Sequence, residues 1–137
     1  MSFNLYVGSF HEGEPKNFPA SVLTDAIRPY IVRKEPSCYV LCFDGIEVNS
    51  CDLYVNTEAN EISNFSVSRP VSDVRLHAAL FQVLRTPGTV LYMAGDCPPL
   101  VGNPDSIGQL PAEMIESLGK PCLVAAPHEI PEWASKA

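Results

Sequence analysis

The chain has 137 residues, 46% of them apolar, with 16 acidic against 9 basic side chains and a net charge of −7. That length suits one domain, residues 1–137, with room for a true core, and the negative charge argues against gripping nucleic acid or an anionic membrane by charge alone. No apolar run approaches the roughly 20 residues that cross a bilayer, and the start of the chain lacks the basic flank, apolar segment and cleavage site of an export signal. A cytoplasmic protein with no membrane partner is therefore expected.

FNLYVG (3–8) alternates loosely and predicts a first strand, inside the sheet or along its edge. After a polar loop (11–18), Pro19 suits a first helical turn, and Val22, Leu23, Ala26 and Ile27 recur at helical spacing until Arg28-Pro29 halts the pattern. Residues 32–36 read as a connection to CYVLCF (38–43), a β-rich run that closes on Asp44-Gly45, a dipeptide suited to a hairpin turn. The returning strand, from Ile46 or Cys51 to Asn56, directs Cys51, Leu53 and Val55 to one face and Asp52, Tyr54 and Asn56 to the other. EANE (58–61) is turn-like, and 62–68 makes a third strand with Phe65 and Val67 on one face, which completes an antiparallel meander.

The stretch 69–102 organises the chain. Pro70 forces a fresh start, Ser72 or Asp73 can cap the helix that follows, and Leu76, Ala79, Leu80, Val83 and Leu84 fall on one stripe. Val74 and Phe81 lie on its shoulder and Arg75, Gln82 and Arg85 opposite, until Thr86-Pro87-Gly88 ends the helix. TVLYMA (89–94) has no alternation, as expected of a central strand covered on both faces. DCPP (96–99) forces a turn, 103–109 is loop-like, and Pro111 opens a short helix through Met114, Ile115 and Leu118 that stops at Gly119. PCLVAA (121–126) is the last strand, and the tail with Trp133 frays or lies in a surface groove. The class is α+β: a single mixed sheet with helices packed on it, an antiparallel meander joined to a parallel β-α-β unit at the C-terminal end. The parallel pair expected is the strand at Thr89 with that at Pro121, through the helix at Pro111.

Cys38, Cys42, Cys51, Cys97 and Cys122 are odd in number and sit mostly in apolar text, as reduced core thiols do. A zinc site of Cys38, Cys42 and Cys51 with a histidine has no CxxC or HxxxH pair behind it, and His11 beside Glu12 and Glu14 has a spacing common by chance. Neither GxGxxG nor GxxxxGK[ST] occurs. No metal and no cofactor are expected. Catalysis would need Cys97 as nucleophile, His128 as base and Asp96 or Glu129 to orient it. Cys97 runs into two prolines rather than into a helix N-terminus that would favour its thiolate, so a protein without enzymatic activity is expected. A small thiol-dependent enzyme using Cys97 is the alternative, as is a non-catalytic adaptor or homodimer presenting the loop 95–103 or a sheet edge. Asp44, Glu47, Asp52, Glu58 and Glu61 fall on two turns and on the polar side of the middle strand, where Tyr54 joins Asp52. These six residues are the candidate docking face for a basic partner, with an ordinary solvated sheet face as the rival reading.

MSFNLYVGSF at the start, FSVSRPVSDVRLHAALFQVL in the middle and VLYMAGDCPPLVG after it resemble a family of small uncharacterised bacterial cytoplasmic proteins associated with polymorphic toxin loci, including those of Rhs-type and type VI effectors. The resemblance spans most of the chain, rests on core-forming text, and carries no catalytic or contact residue onto any position. It implies an immunity protein that binds a cognate toxin in the cytoplasm and occludes its active surface. A basic surface on that toxin and no nucleic-acid partner are what the charge leads one to expect, and a homo-oligomer is left open.

Overall fold

The computed structural model describes residues 4–94 and 97–134, apart from the side chains of Glu47 and Ala134. In chain order the elements are β1 (Asn4–His11), β2 (Glu14–Pro15), β3 (Phe18–Pro19), α1 (Ala20–Ile27), β4 (Ile31–Glu35), β5 (Cys38–Leu41), β6 (Cys51–Tyr54), β7 (Glu61–Ile62), β8 (Asn64–Ser68), α2 (Val74–Leu84), β9 (Thr89–Tyr92), β10 (Leu100–Val101), α3 (Ala112–Leu118), β11 (Cys122–Leu123) and α4 (Glu129–Ala134). Among the described residues, the main sheet has nine strands in the order β11-β10-β9-β1-β8-β6-β5-β4, with β2 hydrogen-bonded to β1 off that path. β3 and β7 form a separate pair. The fold is α+β with one mostly antiparallel sheet and a parallel pair, β10 with β11, at its C-terminal end.

Strand β1, not β9, is central: it pairs with β8 on one side and β9 on the other. The apolar text of β9 signals burial on both faces, and a strand near the sheet's end achieves that when each face has its own cover. Here Leu91 lies in the core beneath α2, while Val90 packs with Leu110, Met114 and Ile115 on the opposite side. The parallel partner of β11 is β10 rather than β9, because the chain beyond Pro99 regains its amide donors and pairs antiparallel with β9, Leu100 opposite Leu91. Residues expected as a connection form the edge strand β4, whose Arg33, Lys34 and Glu35 disguise it; charge on an edge strand guards against pairing with other chains. Asp44-Gly45 does not close a tight hairpin. Asp44 Oδ1 accepts from Ile46 N at 2.9 Å and Oδ2 from Asn49 Nδ2 at 2.7 Å, which organises a longer loop through a 3-10 turn at Glu47–Asn49.

Helices α1, α2 and α4 cover one sheet face. Leu76, Ala79, Leu80, Val83 and Leu84 form the buried stripe of α2, whereas Val74, directly after the cap, is 79% exposed. Asp73 caps α2, its Oδ1 accepting from Arg75 N at 2.8 Å. The helix ends at Leu84, and the turn that follows requires Gly88: its φ is 90°, and a Cβ there would sit 2.6 Å from Phe10 O. The same Gly88 carbonyl accepts from Phe10 N at 2.9 Å, tying the helix end to the central strand. Against this face lie Leu5, Val7, Leu53, Phe65, Val67 and Leu91, all buried, each worth roughly 1.5–3 kcal/mol of burial. The tail does not fray at Trp133: α4 places Ile130 in the core and Trp133 against it.

Candidate functional site

Period-two geometry leaves every second residue of β1, β8 and β6 on the other side of the sheet, where α3 packs with Phe10 and Tyr92 at one end and Tyr6 and Tyr54 stay exposed beyond it. Register aligns them in rows. One row runs Tyr92, Tyr6, Ser66, Tyr54, Cys38 across β9, β1, β8, β6 and β5. The next runs Asn4, Ser68, Asp52, Val40, Arg33 across β1, β8, β6, β5 and β4. Tyr6 is 38% and Tyr54 46% exposed. The Tyr6 and Tyr92 rings stack with centroids 5.5 Å apart and planes at 19°, and Asn4 Nδ2 donates to Tyr6 Oη at 3.3 Å. Burial, then the neighbouring Tyr6, pushes the Tyr92 phenol above its ordinary pKa, so it remains a protonated donor. A groove of about 410 Å³ runs along this row, lined by Tyr6, Phe10, Tyr54, Asn64, Ser66 and Tyr92. Within the two rows only Asp52 and Arg33 carry charge.

The six residues singled out from the sequence do not form one patch. Asp52 and Tyr54 do share the open face. Asp44 sits in the loop before β6, facing Val71, Ser72 and Asp73 at the start of α2; its carboxyl is held below the usual range first by the Ile46 amide, then by Asn49. Glu47 belongs to the same loop, and its side chain lies outside the described residues. Glu58 and Glu61 follow β6 at its other end; Glu61 pairs opposite Pro19, just ahead of α1. Asp52 is not a free charge either, since its Oδ2 lies 3.3 Å from Arg69 Nη2. Sequence reasoning missed Tyr6, Asn64, Ser66 and Tyr92. A signal existed for three of them: in NLYVG and NFSVS the polar residues alternate with Leu5, Val7, Phe65 and Val67.

The thiol assembly looks different. Cys97 is fully buried, its Sγ contacts Pro98 O at 3.3 Å, and burial, then nearby Cys122, raises its pKa. His128 is exposed, and no hydrogen bond joins it to Cys97 among the described residues. Glu129 Oε2 is committed to the amides of Ala125 and Ala126 at 2.6 and 2.7 Å. Asp96 lies outside the described residues. Cys51 faces the core while Cys38 shares the row of Tyr54, so strand alternation separates two of the three zinc-candidate thiols. Among the described residues, no three His, Cys, Asp or Glu side chains gather as a metal site, and no helix is long and apolar enough to cross a membrane. In comparisons with protein-family models, curated proteins and solved structures, nothing matches this chain.

Proposed function

We propose that this chain is a non-catalytic binding protein that neutralises a cognate bacterial toxin by occluding its active surface, and that the open sheet face is where the toxin docks. The observation that carries this reading is the composition of that face: Tyr6, Tyr54, Asn4, Asn64, Ser66 and Ser68 on paired strands, with half-buried Tyr92 stacked on Tyr6 beside the cluster that α3 covers. Tyrosine offers large, rigid, amphipathic contact area at low entropy cost, and serine and asparagine supply adaptable hydrogen bonds, the mixture that binding surfaces of antibodies use. The net charge of −7 would steer a basic partner without itself supplying the contact energy. The toxin as partner comes from the resemblance of the sequence, and the docking face from the side-chain chemistry. A thiol enzyme has less support, because a buried thiol with a raised pKa is a poor nucleophile.

Co-expression with the product of the adjacent upstream reading frame tests the proposal. A reading frame ending in a toxin domain whose product co-purifies with the wild type, and no longer does so with a Tyr6→Ala, Tyr54→Ala variant, is the expected result. Absence of any complex, or full capture by the variant, would reject it.

A further inference from the structure

At the β4 end of the open face, two backbone irregularities converge on one cleft. A bulge between Ile31 and Arg33 leaves Val32 outside the pairing of β4 with β5, and such bulges re-aim the side chains beside them. Arg69, directly after β8, has φ of 52°, a left-handed conformation that residues with a Cβ rarely adopt and that persists where the surroundings impose it. Between the two lies a cleft of about 440 Å³, lined by Val32, Arg33, Val40, Ser50, Asp52 and Arg69. This lies within the size range of small-molecule sites. Arg33, Val40 and Asp52 share a register row, so the Arg33 and Asp52 backbones stand roughly 10 Å apart, two strand spacings, with Val40 as the floor.

The ion pair in this cleft is lopsided. The Asp52 side chain is 24% exposed and that of Arg69 64%, with Arg69 Nη2 3.3 Å from Asp52 Oδ2. The carboxylate is the anchored member and the guanidinium the presented one, with most of its donor fork uncommitted. On the opposite wall, Arg33 Nε stands 3.7 Å from Glu35 Oε2, too far for a hydrogen bond. A chain with a net charge of −7 thus brings to one cleft two guanidinium groups whose donors are, among the described residues, mostly unused.

We propose that this cleft binds a small organic carboxylate, whose two oxygens bridge Arg33 and Arg69 while its apolar body rests on Val32 and Val40. Asp52 is the positioning residue: it holds the Arg69 fork open toward the ligand. This site does not depend on the toxin reading. The test is calorimetric titration of the full chain with benzoate, with benzamide as the uncharged isostere and inorganic phosphate as a second anion. Saturable benzoate binding is expected, with benzamide weaker by about tenfold or more because it lacks the charge the guanidinium groups pair with, and phosphate weaker because it has no apolar body to rest on Val32 and Val40. Arg33→Gln and Arg69→Gln, two independent exposed positions, should each weaken benzoate by about tenfold, and Asp52→Asn should weaken it too. The cleft is not a carboxylate site if benzoate fails to saturate, if benzamide or phosphate binds as well, or if both arginine variants bind like wild type. Tighter binding by Asp52→Asn would reveal a merely repulsive carboxylate and overturn the positioning role.

Discussion

Leu53 and Tyr54 are consecutive residues of β6, yet they belong to different problems. Leu53 points under the helices and is 1% exposed; Tyr54 points across the open face and is nearly half exposed. The covered side is built from residues whose removal leaves a void, whereas the open side displays rigid aromatic side chains with hydroxyl ends that the core does not require. At β6 the covered face therefore carries the stability, while toward β9 the opposite face packs a second cluster around Val90, Val101 and Leu110.

The largest effect should come from the covered side. Leu53→Ala is expected to cost about 2–5 kcal/mol, read as a shift of the denaturant midpoint, while Tyr54→Ala should stay within about 0.5 kcal/mol of wild type in the same assay. If Tyr54→Ala destabilised as much as Leu53→Ala, the division between the faces would collapse. Next in size is Gly88→Ala, at about 1–3 kcal/mol, because the left-handed backbone and the Phe10 carbonyl both oppose a Cβ. Asp73→Ala should follow at about 1 kcal/mol, the worth of an N-cap, measured by thermal unfolding. Its pH dependence has a definite direction: the Arg75 side chain, then the Arg75 amide, lower the Asp73 pKa. The contribution is therefore complete above the unfolded value, about pH 4, and fades as the pH falls from there through the lower folded value. Asp73→Ala should lack that acid-side loss. The smallest consequence concerns the thiols. Burial pushes Cys51 up to about 11 and raises Cys38 and Cys97 as well, so in the native protein a thiol reagent at neutral pH should reach the partly exposed Cys42 and Cys122 first and the three buried cysteines only on unfolding. Rapid native labelling of Cys97 would revive the thiol-enzyme reading.

Most of the covered side was legible in the sequence. The helical recurrence of Leu76, Ala79, Leu80, Val83 and Leu84 and the alternation of Cys51 and Leu53 encode directly which surface is buried. Strand order was less legible, because apolar density reports burial and not position. β9 is as apolar as a central strand because Leu110 and α3 cover the side that α2 does not. Two strands were hidden for the opposite reason: the edge strand β4 is written in charge, and the interior strand β10 is two residues long behind a pair of prolines. The open face was half legible. Alternation placed Asp52 and Tyr54 together, but joining them to Tyr6, Ser66 and Tyr92 needs the register of strands distant in sequence. The acidic residues on turns drew attention by charge, whereas pairing separates Asp44 from Glu58 and Glu61 by the length of β6 and partners Asp52 with Arg69.

The most direct test of the open face as the proposed docking surface is the Kd of whatever product of the adjacent reading frame co-purifies, for wild type and for the Tyr6→Ala, Tyr54→Ala double variant, measured beside their unfolding free energies. Two aromatic anchors of about 2 kcal/mol each imply an affinity loss of at least about 100-fold with unfolding nearly unchanged. An unchanged Kd, or a loss of binding that appears only together with a loss of fold, would contradict the account.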